Sequence, residues 1–173
     1  MKIILSGYMG SGKTAVGEAL AEKLNLAFLD LDEEISREEK LSIPEIFTQK
    51  GEIYFRRKES EILQGLLEQE ESFILALGGG TPCYGKNLQL LKEAADTTLI
   101  YLKTGLFQLK QRLLSEKDKR PLIKDLESPE VLEDFIRKHL FERTFYYNQS
   151  DLIIATDDKT IPEIVSEITL ELN

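Results

Sequence analysis

The chain has 173 residues, 42 % of them hydrophobic, and a formal net charge of −9, which fits one folded domain with a sizeable core and excludes the disordered class. A sequence pI near 4.8 excludes the broad basic stripe that nucleic-acid backbones require, though not a local phosphate site. The single cysteine, Cys83, allows no internal disulfide. No apolar run approaches the ~18 residues of a membrane span, and Met1–Ser6 lacks a signal-peptide layout, so the expectation is a cytoplasmic protein with no membrane partner.

Short apolar runs alternate with amphipathic helical patterns, which predicts an α/β fold with a parallel sheet. Strands are expected at Lys2–Ser6, Ala27–Asp30, Phe73–Leu77, Thr98–Leu102 and Leu152–Ala155. Their nearly continuous apolar runs predict burial on both faces. The first helix should begin near Gly12, with Val16, Ala19, Leu20 and Leu24 on one face and Asn25 at its end. Residues 31–70 read as helical, an insertion between strands two and three, and include the capping box Ser42-Ile43-Pro44-Glu45. Residues 115–126 are charged and interrupted by Pro121, which reads as an exposed loop, either a solvated connection or a lid. Ser128-Pro129 should start a long helix reaching about Asn148. Thr160-Ile161-Pro162-Glu163 caps the last helix.

Gly7-Tyr8-Met9-Gly10-Ser11-Gly12-Lys13-Thr14 matches G-x-x-x-x-G-K-[ST] and lies between a predicted strand and a predicted helix. Glycines at these positions let backbone N–H groups turn inward around phosphates, and the helix N-terminus adds a favourable dipole. Lys13 is then placed for the β- and γ-phosphates of ATP and Thr14 for Mg2+, with Gly10, Ser11, Gly12 and Ala15 completing the cradle. No N-K-x-D guanine-reading motif is present. A compact metabolite kinase suits the size.

The acceptor side is less specific. Asp30-Leu31-Asp32 ends the second predicted strand, where alternate residues of an extended segment would face one cleft. One carboxylate near the metal and one near an acceptor hydroxyl would serve phosphoryl transfer. Gly78-Gly79-Gly80 follows the third strand at the same sheet edge and permits close approach of a ligand. Arg56, Arg57, Arg112, Arg120 and Arg143 are candidate forks for a carboxylate or phosphate. His139 is expected on the surface, Cys83 as an incidental thiol, and Phe141, Phe145, Tyr146 and Tyr147 as core packing. Glu68-Gln69-Glu70-Glu71 reads as a solvated face, and no zinc spacing occurs.

Taken in order, these elements resemble the shikimate kinase family over nearly the whole chain: Gly7–Thr14, Leu29-Asp30-Leu31-Asp32, Ile46-Phe47, Gly51-Glu52, Phe55-Arg56-Arg57-Lys58-Glu59, Leu77-Gly78-Gly79-Gly80, Arg120-Pro121-Leu122, and Arg143 with Tyr146-Tyr147. The resemblance implies transfer of the γ-phosphoryl group of ATP to the 3-hydroxyl of shikimate, in aromatic amino-acid synthesis by way of chorismate. It implies a nucleoside-monophosphate-kinase-like P-loop fold, a three-layer sandwich around a five-stranded parallel sheet of order 2-3-1-4-5. By motif position it assigns Lys13 to phosphate, Thr14 and Asp30 to Mg2+, and Asp32 to the shikimate hydroxyls as general base. It assigns Arg56 and Arg143 to the substrate carboxylate, Gly78, Gly79 and Gly80 to the substrate lining, Arg112 to the adenine, and Arg120 to a lid that closes on the phosphates. One kinase domain over residues 1–173 is implied: a P-loop core at 1–30 and 71–112, a shikimate-binding segment at 31–70, a lid at 113–125, and a helix-strand-helix unit at 126–173. A monomer is the default. The alternatives are another small-molecule kinase of the same fold, such as gluconate kinase, and a catalytically silent nucleotide-binding module.

Overall fold

The computed structural model describes residues 1–117 and 122–172. Strands occupy Lys2–Ser6 (β1), Ala27–Asp30 (β2), Phe73–Ala76 (β3), Thr97–Lys103 (β4) and Leu152–Ala155 (β5), within a residue of expectation at every end. They form one parallel sheet in the order β2-β3-β1-β4-β5, the order that the resemblance implied. Helices are α1 (Lys13–Leu24), α2 (Leu31–Glu39), α3 (Ile43–Leu67), α4 (Asn87–Glu93), α5 (Leu106–Ser115), α6 (Pro129–Tyr147) and α7 (Ile161–Glu171), with a 3-10 turn at Thr81–Cys83. Among the described residues, no helix is long and apolar enough to cross a membrane.

Strand alternation divides the core into two layers. Ile4, Leu75 and Leu99 stand side by side on neighbouring strands and pack under α2, α3 and α4 with Leu31, Ile46 and Leu63. Ile3, Leu5, Ile74 and Ile100 point the other way and pack under α1 and α7 with Val16, Leu20, Ile164 and Ile168. Burial on both faces holds for β1 and β3 but not at the sheet edges, where Ala27, Ile153 and Ala155 are exposed. An edge strand has a neighbour on one side only, so its cover runs out.

Local signals explain the helix boundaries. Asn25 adopts the left-handed conformation (φ 53°) that closes α1, as asparagine does more readily than most residues. Both expected capping boxes form: the Ser42 N–H donates to Glu45 at 2.8 Å and the Thr160 N–H to Glu163 at 2.7 Å. The Ser128 hydroxyl accepts from the Val131 N–H at 3.3 Å at the start of α6. Helix α3 is broken at Gly51 (φ 83°, ψ 169°), which turns its first two turns relative to the rest.

Two expectations need correction. The segment 115–126 is not uniformly exposed, because Ile123 is fully buried in a third cluster with Tyr8, Leu109, Leu113, Leu132 and Ile136. An apolar anchor of this kind ties the end of the segment to α5 and α6. Arg120 and Pro121 lie outside the described residues. The aromatic run of α6 is also not all core: Phe141 and Phe145 are 88 % and 70 % exposed, whereas Tyr147 is fully buried. At 100° per residue, Leu132, Ile136, His139, Arg143 and Tyr147 fall on one face of α6, and Phe141 and Phe145 on the opposite one.

Candidate active site

The C-terminal edge of the sheet around β1, where the chain order reverses, is the usual ligand position in such folds. A cleft of about 610 Å3 opens there, floored by the loop Gly10–Thr14 and walled by Asp30, Asp32, Gly78 and Gly79. Gly12 sits at φ 93°, left-handed, directly before α1, with no side-chain cap on the helix. The first N–H groups of α1, including those of Thr14 and Ala15, are thereby presented at the cleft end, as an anion site requires. The Ser11 hydroxyl is buried and makes no hydrogen bond. Buried hydroxyls are nearly always satisfied, so this one has unused hydrogen-bonding capacity beside the loop. The Lys13 ammonium donates to the carbonyls of Gly7 (2.9 Å) and Tyr8 (3.0 Å), folded over the loop. Arg112, from α5, donates to the Gly10 carbonyl at 3.0 Å and to Gln108 at 3.1 Å, and lines the cleft with Lys159 and Ile161.

Asp30 and Asp32 share the cleft, but not by strand alternation. Asp30 ends β2 and serves as N-cap of α2, and Asp32 is already in the first helical turn. Burial, then the neighbouring carboxylates of Asp30 and Glu59, push the Asp32 carboxyl up to about 6, against the pull of Lys13 and Arg56. A desolvated carboxylate between like charges is the combination that produces such a rise.

The glycine triplet threads between two charged walls. A Cβ on Gly78 would stand 3.3 Å from Asp32 Oδ1 and 3.4 Å from Glu59 Oε1. One on Gly79 would stand 3.4 Å from the Met9 backbone nitrogen and 3.6 Å from Arg143 Nη1, and one on Gly80 3.1 Å from Arg56 Nη2. Close approach, rather than a special backbone conformation, therefore accounts for glycine at Gly78 and Gly80. Arg56 and Arg143, distant in sequence, come from α3 and α6 to adjacent glycines of this strip. Neither lines the P-loop cleft itself. Arg120 falls outside the described residues.

Several residues of this region had no site role legible in the sequence. Glu59 is 1 % exposed, binds Arg56 Nη1 at 2.9 Å and accepts from the Thr81 hydroxyl at 2.7 Å. Its i,i+3 spacing from Arg56 was the available signal. Tyr84 lies under the Arg56 guanidinium at 3.8 Å from ring centroid to Cζ. Tyr147 donates its hydroxyl to the Gly79 carbonyl. His139 is not a free surface residue: it is half-buried and its Nδ1 meets the Tyr8 hydroxyl at 3.0 Å. Cys83 is half-buried, near enough to Arg143 and Arg56 to feel both charges, but burial pushes its thiol up to about 11. At neutral pH such a thiol is protonated and a poor nucleophile.

A shikimate kinase family model matches residues 9–173. A shikimate kinase from Flavobacterium psychrophilum is 48 % identical over 167 residues, 96 % of each chain. The crystal structure of a shikimate kinase from Bacteroides thetaiotaomicron aligns with a TM-score of 0.91 at 32 % identity, over 99 % of this chain and 98 % of that one. The shikimate kinase from Acinetobacter baumannii, solved in complex with shikimate, aligns with a TM-score of 0.87 at 34 % identity, over 99 % and 92 %. With a phosphate loop, an acidic pair and two converging arginines in the family's order, and with likeness along the whole chain, this protein belongs to the shikimate kinase family.

Proposed function

We propose that the chain transfers the γ-phosphoryl group of ATP to the 3-hydroxyl of shikimate, giving shikimate 3-phosphate and ADP. The observation that carries this reading is the glycine strip, with the P-loop cleft on one side, Arg56 and Arg143 on the other, and Asp32 where they meet. A planar carboxylate held by two guanidinium groups fixes the register of a ring acid. An acid so held would present a ring hydroxyl to Asp32 and to the loop, which converts a bimolecular encounter into an oriented one.

In the reaction, Asp32 accepts the proton of the 3-hydroxyl as that oxygen forms its bond to the γ-phosphorus. The bond from the γ-phosphorus to the β,γ-bridging oxygen breaks, and ADP leaves with that oxygen. An Asp32 carboxyl at about 6 is mostly ionised at pH 7 and basic enough to take the proton. Lys13 and the N–H groups at the start of α1 offset the charge spread over the transferring group. Arg120 is assigned to the same charge on motif position alone.

Mg2+ fits the donors present. Thr14 supplies a hydroxyl and Asp30 a carboxylate, both hard oxygen ligands at the cleft. No group of three or more His, Cys, Asp or Glu is gathered for a metal among the described residues, which suits an ion that keeps waters and substrate phosphates as ligands. When bound, Mg2+ would neutralise β- and γ-phosphate charge. Our reading also makes the enzyme a cytoplasmic monomer without nucleic-acid or membrane partners; the net charge of −9 supports the exclusion of nucleic acid.

The test is ADP release from Mg-ATP with shikimate, with gluconate and with no acceptor. Release that depends on shikimate supports the assignment. Release with gluconate, or without any acid, removes the acceptor side of it and leaves the P-loop reading standing.

A further inference from the structure

Tyr8 occupies the first variable position of the phosphate loop, yet its ring is 1 % exposed. It points away from the cleft into the cluster formed with Leu109 and Leu113 of α5 and Leu132 and Ile136 of α6. Two polar groups of α6 meet this ring. The Tyr8 hydroxyl and His139 Nδ1 are 3.0 Å apart, and the Arg143 guanidinium lies over the ring, with Cζ 5.6 Å from its centroid. That distance is within cation–π range. His139 and Arg143 are four residues apart on one face of α6, so a single ring can serve both. His139 is itself braced by Phe135, whose ring meets it edge-on at 4.2 Å. Nη1 of the same guanidinium borders Gly79, 3.6 Å from where a Cβ on that residue would stand.

We propose that Tyr8 and His139 are a positioning pair that seats Arg143 and links the nucleotide loop to the acceptor clamp. The inference rests on the reading above, in which Arg143 holds the acid's carboxylate. A hydroxyl anchored on His139 fixes the plane of the Tyr8 ring, and the ring face fixes the guanidinium. Because Tyr8 follows Gly7 in the phosphate loop, any movement of the loop on nucleotide binding shifts the seat of Arg143. Nucleotide and acid then favour each other's binding, by the same factor in both directions.

The test is steady-state kinetics and shikimate binding, with and without ADP, for the wild type, Tyr8→Phe, His139→Phe, the double variant, His139→Gln and Arg143→Ala. Tyr8→Phe keeps the ring but loses the hydroxyl, and His139→Phe removes the anchor. Each is expected to raise KM for shikimate about three- to tenfold, the scale of one hydrogen bond or cation–π contact, with KM for ATP within about twofold. The double variant should be no worse than either single one, because both break the same link. ADP should no longer tighten shikimate binding in any of the three. His139→Gln, which can still hydrogen-bond the tyrosine hydroxyl, should recover much of the loss. The pairing is overturned if both phenylalanine variants keep wild-type KM for shikimate and its response to ADP while Arg143→Ala raises KM. It is equally overturned if the two losses add, or if they shift both KM values together in step with a lower Tm, as a purely structural role would. If Arg143→Ala itself leaves KM for shikimate unchanged, the clamp reading fails, and this inference with it.

Discussion

The carboxylate of Asp30 caps the helix that carries Asp32: Asp30 Oδ1 accepts the Asp32 N–H at 3.0 Å. This bond spends one oxygen of Asp30 on the helix start and leaves the other for the cleft. It also holds two negative side chains within reach of each other, one of the causes that raise the Asp32 carboxyl. The site therefore stores an electrostatic cost that its chemistry uses.

Replacing Asp32 by Asn should lower kcat at least about a hundredfold, the usual scale for loss of a general base. The same change should stabilise the ligand-free enzyme at pH 8. A carboxyl whose folded pKa is raised, here from 3.8 to about 6, favours folding fully below pH 3.8 and loses that contribution as the pH rises through 6. The upper bound is roughly 3 kcal/mol, and a gain of about 1–2 kcal/mol is expected after the replacement amide's own burial. Denaturant unfolding of both proteins at pH 8 and pH 5 measures it; the difference should shrink at the lower pH.

The same carboxyl sets a pH profile. kcat/KM for shikimate should rise with pH through about 6, because the free enzyme must hold Asp32 ionised to accept the proton. A profile that is flat from pH 5 to 7.5 would remove Asp32 from the role of base.

Glu59 is the partner that keeps Arg56 in place, through its 2.9 Å bond, and is itself fixed by Thr81. Glu59→Ala should raise KM for shikimate about tenfold and cost about 1–3 kcal/mol, since it leaves a partly buried guanidinium with only the longer 3.7 Å contact to the exposed Glu52. Glu59→Gln keeps the shape and one acceptor oxygen, and should be milder in both respects. Kinetics and thermal unfolding of the pair separate positioning from simple loss of fold.

Two glycine-to-alanine changes should behave oppositely. On Gly80 a Cβ would stand 3.1 Å from Arg56 Nη2 and 3.2 Å from the Tyr84 ring, tighter than ordinary contact, so the Arg56 guanidinium has to give way. Gly80→Ala should therefore raise KM for shikimate by about threefold or more, because it displaces a guanidinium that positions the acid. On Gly65, inside α3, a Cβ meets nothing within 4 Å. Gly65→Ala should leave activity unchanged and add about 0.5–1 kcal/mol of stability, from helix propensity.

Much of this was legible in the residues because it is local. A strand, a glycine loop and a helix start lie next to one another between Lys2 and Thr14, so the phosphate cradle is written in consecutive letters. The same holds for the capping boxes at Ser42 and Thr160, whose partners lie three residues on. Strand order came from the family resemblance, since nothing in β3 alone names β1 and β2 as its neighbours.

The rest depends on contacts between segments far apart in the chain. Extended alternation suggested that Asp30 and Asp32 share a cleft; they do, but because a helix begins between them. Glu59 stood in a motif of the family without a role of its own, and its partners Thr81 and Arg56 meet it only in the folded chain. Phe141 and Phe145 matched the core in composition and lie on the outer face of α6, because only the packing of that helix decides which of its faces turns inward. His139 shows the same limit. The sequence by itself determined the phosphate loop and the capped helix starts at Ser42, Ser128 and Thr160, where the partners are neighbours in the chain. Tertiary structure alone decided which buried charges and rings meet at the acceptor end, because burial and pairing are properties of segments brought together, and no single segment carries them.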